Sequence, residues 1–147
     1  MNHPAQPSHF DVIVIGAGAA GMMCAAEAGQ RGRRVLIIDH AEKLAEKIRI
    51  SGGGRCNFTN LEVGIANYLS RNPQFCRSAL SRFTPAHFIE RVNRHGIRWH
   101  EREHGQLFCD DSAQDIIDML RTGCDNGQVS WAMPCQLETI GAGTEPG

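Results

Sequence analysis

An α/β fold built on a right-handed β-α-β unit follows from three features of the first forty residues. These are a short apolar run, a glycine turn opening a helix of small residues, and a second apolar run that ends in an acid. Phe10-Asp11-Val12-Ile13-Val14-Ile15 is apolar and β-branched, as expected of a strand buried on both faces. Gly16 stops it. Residues 19–30, AAGMMCAAEAGQ, favour a helix, and Gly32 ends them. Arg34-Val35-Leu36-Ile37-Ile38-Asp39 reads as a second buried strand. The crossover between two parallel strands in one sheet is right-handed in nearly all cases.

The rest of the chain predicts a less regular succession. Residues 41–50 are polar and helix-capable, and they lead into RISGGGRCNFTN at 49–60. Three consecutive glycines there predict a loop or a tight turn at a helix end. A helix is expected over 73–82 after Pro73. A second starts at Thr84, with Thr84 as cap and Pro85 in the first turn, and closes at Gly96. Ile97 to Glu101 alternates weakly, as an exposed strand does, and Gly105 to Phe108 reads as a turn followed by its hairpin partner. Ser112 caps a helix over 113–122, with Asp115 well placed against the helix dipole. Strands are expected over 129–133 and from Cys135 to Ile140. Residues 1–9 and 141–147 read as tails around one body over 10–140.

Composition narrows the classes further. The chain has 147 residues, 41% apolar and 21% charged, which suits a domain with a real core and argues against a coiled coil or a disordered chain. Its net charge of -1 gives no general reason to expect nucleic acid or an anionic membrane as partner. No stretch approaches the roughly 18 apolar residues of a membrane helix, and the N-terminus lacks secretory order. Six cysteines include no CxxC pair, which argues against zinc or a disulfide framework and for a reduced, cytoplasmic setting. No metal site is expected. His95, His100 and His104 fall on a helix end, a strand and a turn, with no shared face.

Gly16-Ala17-Gly18-Ala19-Ala20-Gly21 fits GxGxxG, and its placement between strand and helix makes the match specific. Gly16 turns off the strand, Gly18 lets the backbone approach a pyrophosphate, and Gly21 lets the helix pack close to the sheet. The helix start at Ala19 and Ala20 offers N–H groups to phosphates. Asp39, 23 residues after Gly16, stands where an acid accepts bonds from a ribose 2′-hydroxyl and disfavours a 2′-phosphate. An adenine dinucleotide is predicted. Flavin and nicotinamide forms stay open on these residues alone.

The string Ser51-Gly52-Gly53-Gly54-Arg55-Cys56-Asn57-Phe58-Thr59-Asn60, together with GAGAAG, resembles a bacterial flavoprotein family. That family includes aminoacetone oxidase-like proteins and a bile-acid-dehydroxylation flavoprotein, NAD(P)/FAD-dependent oxidoreductases of the glutathione-reductase-like group. Gly105-Gln106-Leu107-Phe108 is similar to its GR-x-FP segment, with Gln106 and Cys109 replacing the usual Arg and Pro. The resemblance covers about residues 10 to 140. It implies a Rossmann-like FAD/NAD(P)-binding ββα fold holding FAD, with Gly16, Gly18 and Gly21 at the pyrophosphate and Asp39 at the ribose. It places Ser51, Gly52, Gly53 and Gly54 against the cofactor, with Arg49, Arg55, Asn57, Thr59 and Asn60 as polar contacts. Cys56 is expected to be a small packed residue rather than a redox partner.

Members of that family are much longer, so the chain is expected to be a truncated N-terminal portion of a flavin-dependent oxidoreductase. Activity in the shortened chain is then in question. A small-molecule substrate and NAD(P)H are implied for the full-length protein, and self-association through uncovered apolar surface for this chain. Two other readings are a non-catalytic dinucleotide-binding remnant and an NAD-dependent dehydrogenase domain.

Overall fold

A computed structural model describes residues 9–141, so the expected tails lie outside the described residues except for His9 and Gly141. The elements in order are β1 (Val12–Ile15), α1 (Ala19–Gln30), β2 (Val35–Ile38), α2 (Glu46–Ile50), β3 (Asn57–Asn60), α3 (Arg77–Arg82), α4 (Pro85–Arg94), β4 (Trp99–Glu101), β5 (Gln106–Cys109), α5 (Ala113–Asn126) and β6 (Ser130–Ala132). They fall into two compact units. One takes the described residues up to Ala45 and from Leu120 onward; the other takes Glu46–Met119, and the division falls inside α5.

The first unit holds a parallel sheet in the order β1-β2-β6, with Val12 opposite Val35 and Leu36 opposite Ser130. Its Rossmann-like α/β class is the one expected. α1 and β2 match the sequence reading closely because small residues, an apolar run and glycine punctuation all agree there. Met22, Ala25 and Ala26 of α1 are buried, as are Val35, Ile37 and Ile38 of β2. Small residues also bring α1 against the end of α5. A Cβ on Gly29 would enter the Gly127 carbonyl, and one on Gly123 would stand 3.4 Å from the Ala26 Cβ. The Cys124 thiol donates to the Met22 carbonyl at 3.3 Å.

The second unit is an antiparallel sheet, β3-β5-β4, in which Leu107, Phe108 and Cys109 of the central strand are buried. Phe58 of β3 lies 6.0 Å from the Phe88 ring of α4 and 6.4 Å from the Trp99 ring of β4. The Trp99 indole donates to the Asn93 side chain at 2.8 Å, so this tryptophan is a packing residue with its one polar atom satisfied. α4 begins as expected. The Thr84 hydroxyl accepts from the His87 N–H, Pro85 sits in the first turn, and Gly96 follows at φ +68°.

Four local expectations change. β1 is not buried on both faces: Ile13 and Ile15 are each 57% exposed, whereas Val14 packs inward. Asn57–Asn60 forms a strand, because β5 supplies the ladder that these polar residues do not advertise. α5 runs to Asn126, since Gly123 packs instead of ending the helix. Cys135–Ile140 forms no strand. Pro134 has no N–H for a ladder, and the Cys135 N–H goes to the Asp39 carbonyl at 2.7 Å.

Gly29→Ala sets two effects against each other. Alanine in a helix interior gains up to about 1 kcal/mol over glycine, while forcing atoms into packed backbone costs about 1–3 kcal/mol. The obstacle is a carbonyl rather than a flexible side chain, so the variant is expected to lose stability, by about 1–2 kcal/mol. Urea unfolding reads this directly, and an unchanged or raised midpoint would contradict the packing.

Candidate functional site

At the carboxyl end of β1 the three glycines of GxGxxG separate into three roles. Gly16 has φ +104°, a left-handed conformation that disfavours any side chain, although a Cβ there would meet nothing within 4 Å. Gly21 is sterically required, because its Cβ would enter the Gly16 carbonyl. Gly18 is neither. Its φ of -89° suits any residue, and a Cβ would find open space, so nothing inside the chain requires glycine. The missing side chain leaves room for something outside it. No side chain caps α1, no acid lies in its first turn, and Gly18, Ala19 and Ala20 are exposed. The N–H groups of that turn and its positive field are therefore presented to solvent, a ready seat for phosphate.

Asp39 follows β2 and faces the same turn. Its carboxylate accepts from the Ala17 N–H at 2.7 Å and the Ala41 N–H at 2.8 Å. These bonds, Ala41 first and Ala17 second, hold its pKa below the ordinary carboxylate value of 3.8, against the opposing effect of burial. The Ala17 carbonyl in turn accepts from the Ala45 N–H at 2.9 Å, and the Gly16 N–H donates to the Ile38 carbonyl at 2.8 Å. Asp39 is thus a brace of the glycine turn as well as a candidate ribose acceptor. Sequence spacing marks the second role only.

Beside it lies a cavity of about 380 Å³, lined by Ile15, Gly16, Ile38, Asp39 and His40 and by residues 135–138 after β6. The 135–138 segment was missed as a site element because it reads as a strand. A concave space at the carboxyl ends of parallel strands is where open α/β sheets bind ligands. The residues fit a dinucleotide on structural grounds: an unfilled Gly18, uncapped helix N–H groups and an acid at the end of β2.

The SGGGRCNFTN residues belong to the second unit. Ser51–Gly54 forms a turn of 3-10 helix, with Gly52, Gly53 and Gly54 at φ +58°, +66° and +87°. Gly52 also lies against Phe108, whose ring carbons would be 2.6 and 2.8 Å from an added Cβ. Ser51 donates to the Ile48 carbonyl at 3.0 Å, Arg49 to the Gln114 side chain at 2.7 Å, and Arg55 to the Asp110 carbonyl. Asn60 donates to the His104 carbonyl at 2.7 Å and accepts from the Glu62 N–H at 2.9 Å, which ties β3 to the turn before β5. Asn57 is exposed at the start of β3, and Thr59 pairs with Leu107.

Cys56 is buried, and burial pushes its thiol above the ordinary value; the same cause takes Cys109 up to about 12 and Cys124 to about 11. None of these three is a thiolate near neutral pH, so none is an activated nucleophile. His100 bonds to Asp110 at 2.7 Å and to the Arg102 Nε at 3.2 Å, which occupies both ring nitrogens. Among the described residues no three His, Cys, Asp or Glu converge as a metal site, and no helix is long and apolar enough to cross a membrane.

Comparison with known proteins agrees with this geometry. A family model described as the HI0933-like protein Rossmann domain matches residues 10–145. The chain is 60% identical over 131 residues to a ribosomal RNA dihydrouridine synthase of Escherichia coli, covering 89% of this chain and 33% of that protein. It is 54% identical over 113 residues to the Haemophilus influenzae protein of the same name, covering 77% and 28%. A 3-dehydro-bile acid delta(4,6)-reductase of Clostridium scindens is 29% identical over 110 residues, covering 73% and 27%. The chain therefore spans about a third of the length of the curated relatives it matches.

Two predictions follow from the turn. Gly18→Ala is expected to cost no more than about 1 kcal/mol, the penalty of alanine at this N-cap, while Gly21→Ala destabilises by clearly more, compared by denaturant titration. Equal losses would remove the distinction between a ligand glycine and a packing glycine. For Asp39 the folded pKa lies below the unfolded one. Its stabilisation is present above about pH 4 and is lost as pH falls through the folded value. The stability gap between the native chain and Asp39→Asn should therefore be about 1–2 kcal/mol near neutrality and narrow as pH falls through the folded value. A gap that does not vary with pH would exclude the brace.

Proposed function

Because the chain belongs to the HI0933-like family and carries its Rossmann domain, we propose that residues 10–140 form the FAD-binding part of a flavin-dependent oxidoreductase. The observation that carries this reading is the glycine turn. Gly18 is free of any internal steric demand, beside an uncapped helix start and a braced Asp39. Gly16, Gly18, Ala19, Ala20 and Gly21 would hold the pyrophosphate through backbone N–H groups, and Asp39 would accept from the adenosine ribose while repelling a 2′-phosphate. Ser51 to Asn57, with Arg49, Thr59 and Asn60, are assigned to the same cofactor through the motif resemblance. On this reading Arg55, Asn57 and the positive-φ glycines supply polar contact and close backbone approach. Cys56 packs and carries no electrons.

Ribosomal RNA is the substrate class best supported for the complete protein. The relatives bearing that activity in their names share 54–60% identity with this chain, against 29% for the bile-acid enzyme named above. When bound, a reduced flavin held by these residues would supply the hydride that, with one proton, saturates the uridine C5–C6 double bond. This proposed substrate differs from the small molecule that the resemblance implies and from the expectation of no nucleic-acid partner. A net charge of -1 is a sum over the chain and says nothing of how the charges are distributed.

An absorption spectrum of gently purified protein, followed by release of any bound cofactor, tests the first claim. A yellow chain that releases FAD, or that takes up added FAD and loses uptake in Gly18→Ala, is the expected result. A colourless chain that binds NAD in preference to FAD would support the nicotinamide reading instead.

A further inference from the structure

We propose that the acid-free segment from Val63 to Ile89 in the second unit is a contact surface for single-stranded RNA, an inference that rests on the ribosomal RNA reading above. Between Glu62 and Glu90 the chain carries three arginines, Arg71, Arg77 and Arg82, and no acid. All three are exposed, and none forms an ion pair among the described residues. Other arginines of the unit are engaged within it. Arg94 pairs with Glu90 at 3.1 Å, Arg98 with Asp111 at 3.0 Å, Arg55 bonds to the Asp110 carbonyl, and Arg102 lies 4.2 Å above the Phe108 ring. With Lys47 on α2 as the exception, these three arginines hold the unit's uncommitted positive charge among the described residues.

The same stretch exposes aromatic faces. Phe75 is 85% exposed and Tyr68 47%, while Phe83, 42% exposed, also packs against the His87 and Phe88 rings. Arginines without acidic partners, interleaved with exposed rings, are the chemistry that binds a single strand: guanidinium groups neutralise phosphates and release counterions, while unstacked bases lie on rings. A duplex offers no free base faces to those rings. A uridine to be reduced must itself leave its stack, so the substrate of the proposed reaction is presented in this form.

The test is fluorescence anisotropy of this chain with a labelled oligouridine of about 12 nucleotides, across a salt series, with FAD uptake measured on the same preparation. The triple variant Arg71→Gln, Arg77→Gln, Arg82→Gln is expected to bind at least about tenfold more weakly, with the slope of log K against log salt reduced by about 2. A charge-matched control, Arg31→Gln, Arg33→Gln, Arg121→Gln, is expected to bind like the native chain. Far-UV circular dichroism and a thermal midpoint establish that both variants fold.

Equal loss in the control, an unaffected triple variant, or equal affinity for duplex RNA overturns the assignment. So does a chain that takes up FAD and binds no oligouridine, which leaves the cofactor reading standing. Arginine-dependent RNA binding without FAD uptake would do the reverse.

Discussion

The first unit depends on how closely α1 can approach the end of β1. Gly21 presents a hydrogen where any other residue would drive a carbon into the Gly16 carbonyl. That approach lets a turn with Gly16 at φ +104° meet the helix without a gap, and it aims the uncapped first turn of α1 outward. The Ala17 peptide is then held from both sides, by Asp39 at its N–H and by Ala45 at its carbonyl. A phosphate site made of backbone has no side chains to adjust, so its accuracy is that of the backbone bracing.

Asp39 braces the turn and, on the reading proposed above, is also the ribose acceptor. A carboxylate has lone pairs for about four donors, and two are taken by the Ala17 and Ala41 N–H groups. The carboxylate also lines the cavity beside the turn, and His40 Nδ1 lies 3.4 Å from one of its oxygens. Because the internal bonds keep the group ionised, the acceptor is ready before any ligand arrives.

How much of this the sequence discloses follows from the range of the interactions. α1, β2 and the Thr84-Pro85 helix start are decided by neighbours a few residues apart, and all three are legible. The GxGxxG turn and the acid at the end of β2 are legible for the same reason, since strand, turn and acid sit in one short unit. The Asn57–Asn60 strand depends on β5 almost fifty residues later, and nothing in four polar or aromatic residues announces that partner. The exposed face of β1 is a property of what packs on it, whereas its alternating isoleucines and valines read the same whether covered or bare. The brace formed by Asp39 escaped for a related reason: a spacing identifies an acid at a strand end, and only coordinates show which N–H groups it meets.

The sheet of the first unit pairs Leu36 with Ser130, so its third strand arrives long after the first two. Closing a flexible loop of about ninety residues costs about 4 kcal/mol of chain entropy. On the ribosome β1, α1 and β2 emerge first, with one edge of β2 unpaired while the whole intervening stretch is synthesised. Collapse of Glu46–Met119 into its own antiparallel sheet before β6 pairs would shorten the effective tether and lower that entropy cost. In that order the second unit would act as an internal folding aid, its assembly rate setting how long a sticky strand edge stays available to neighbouring nascent chains.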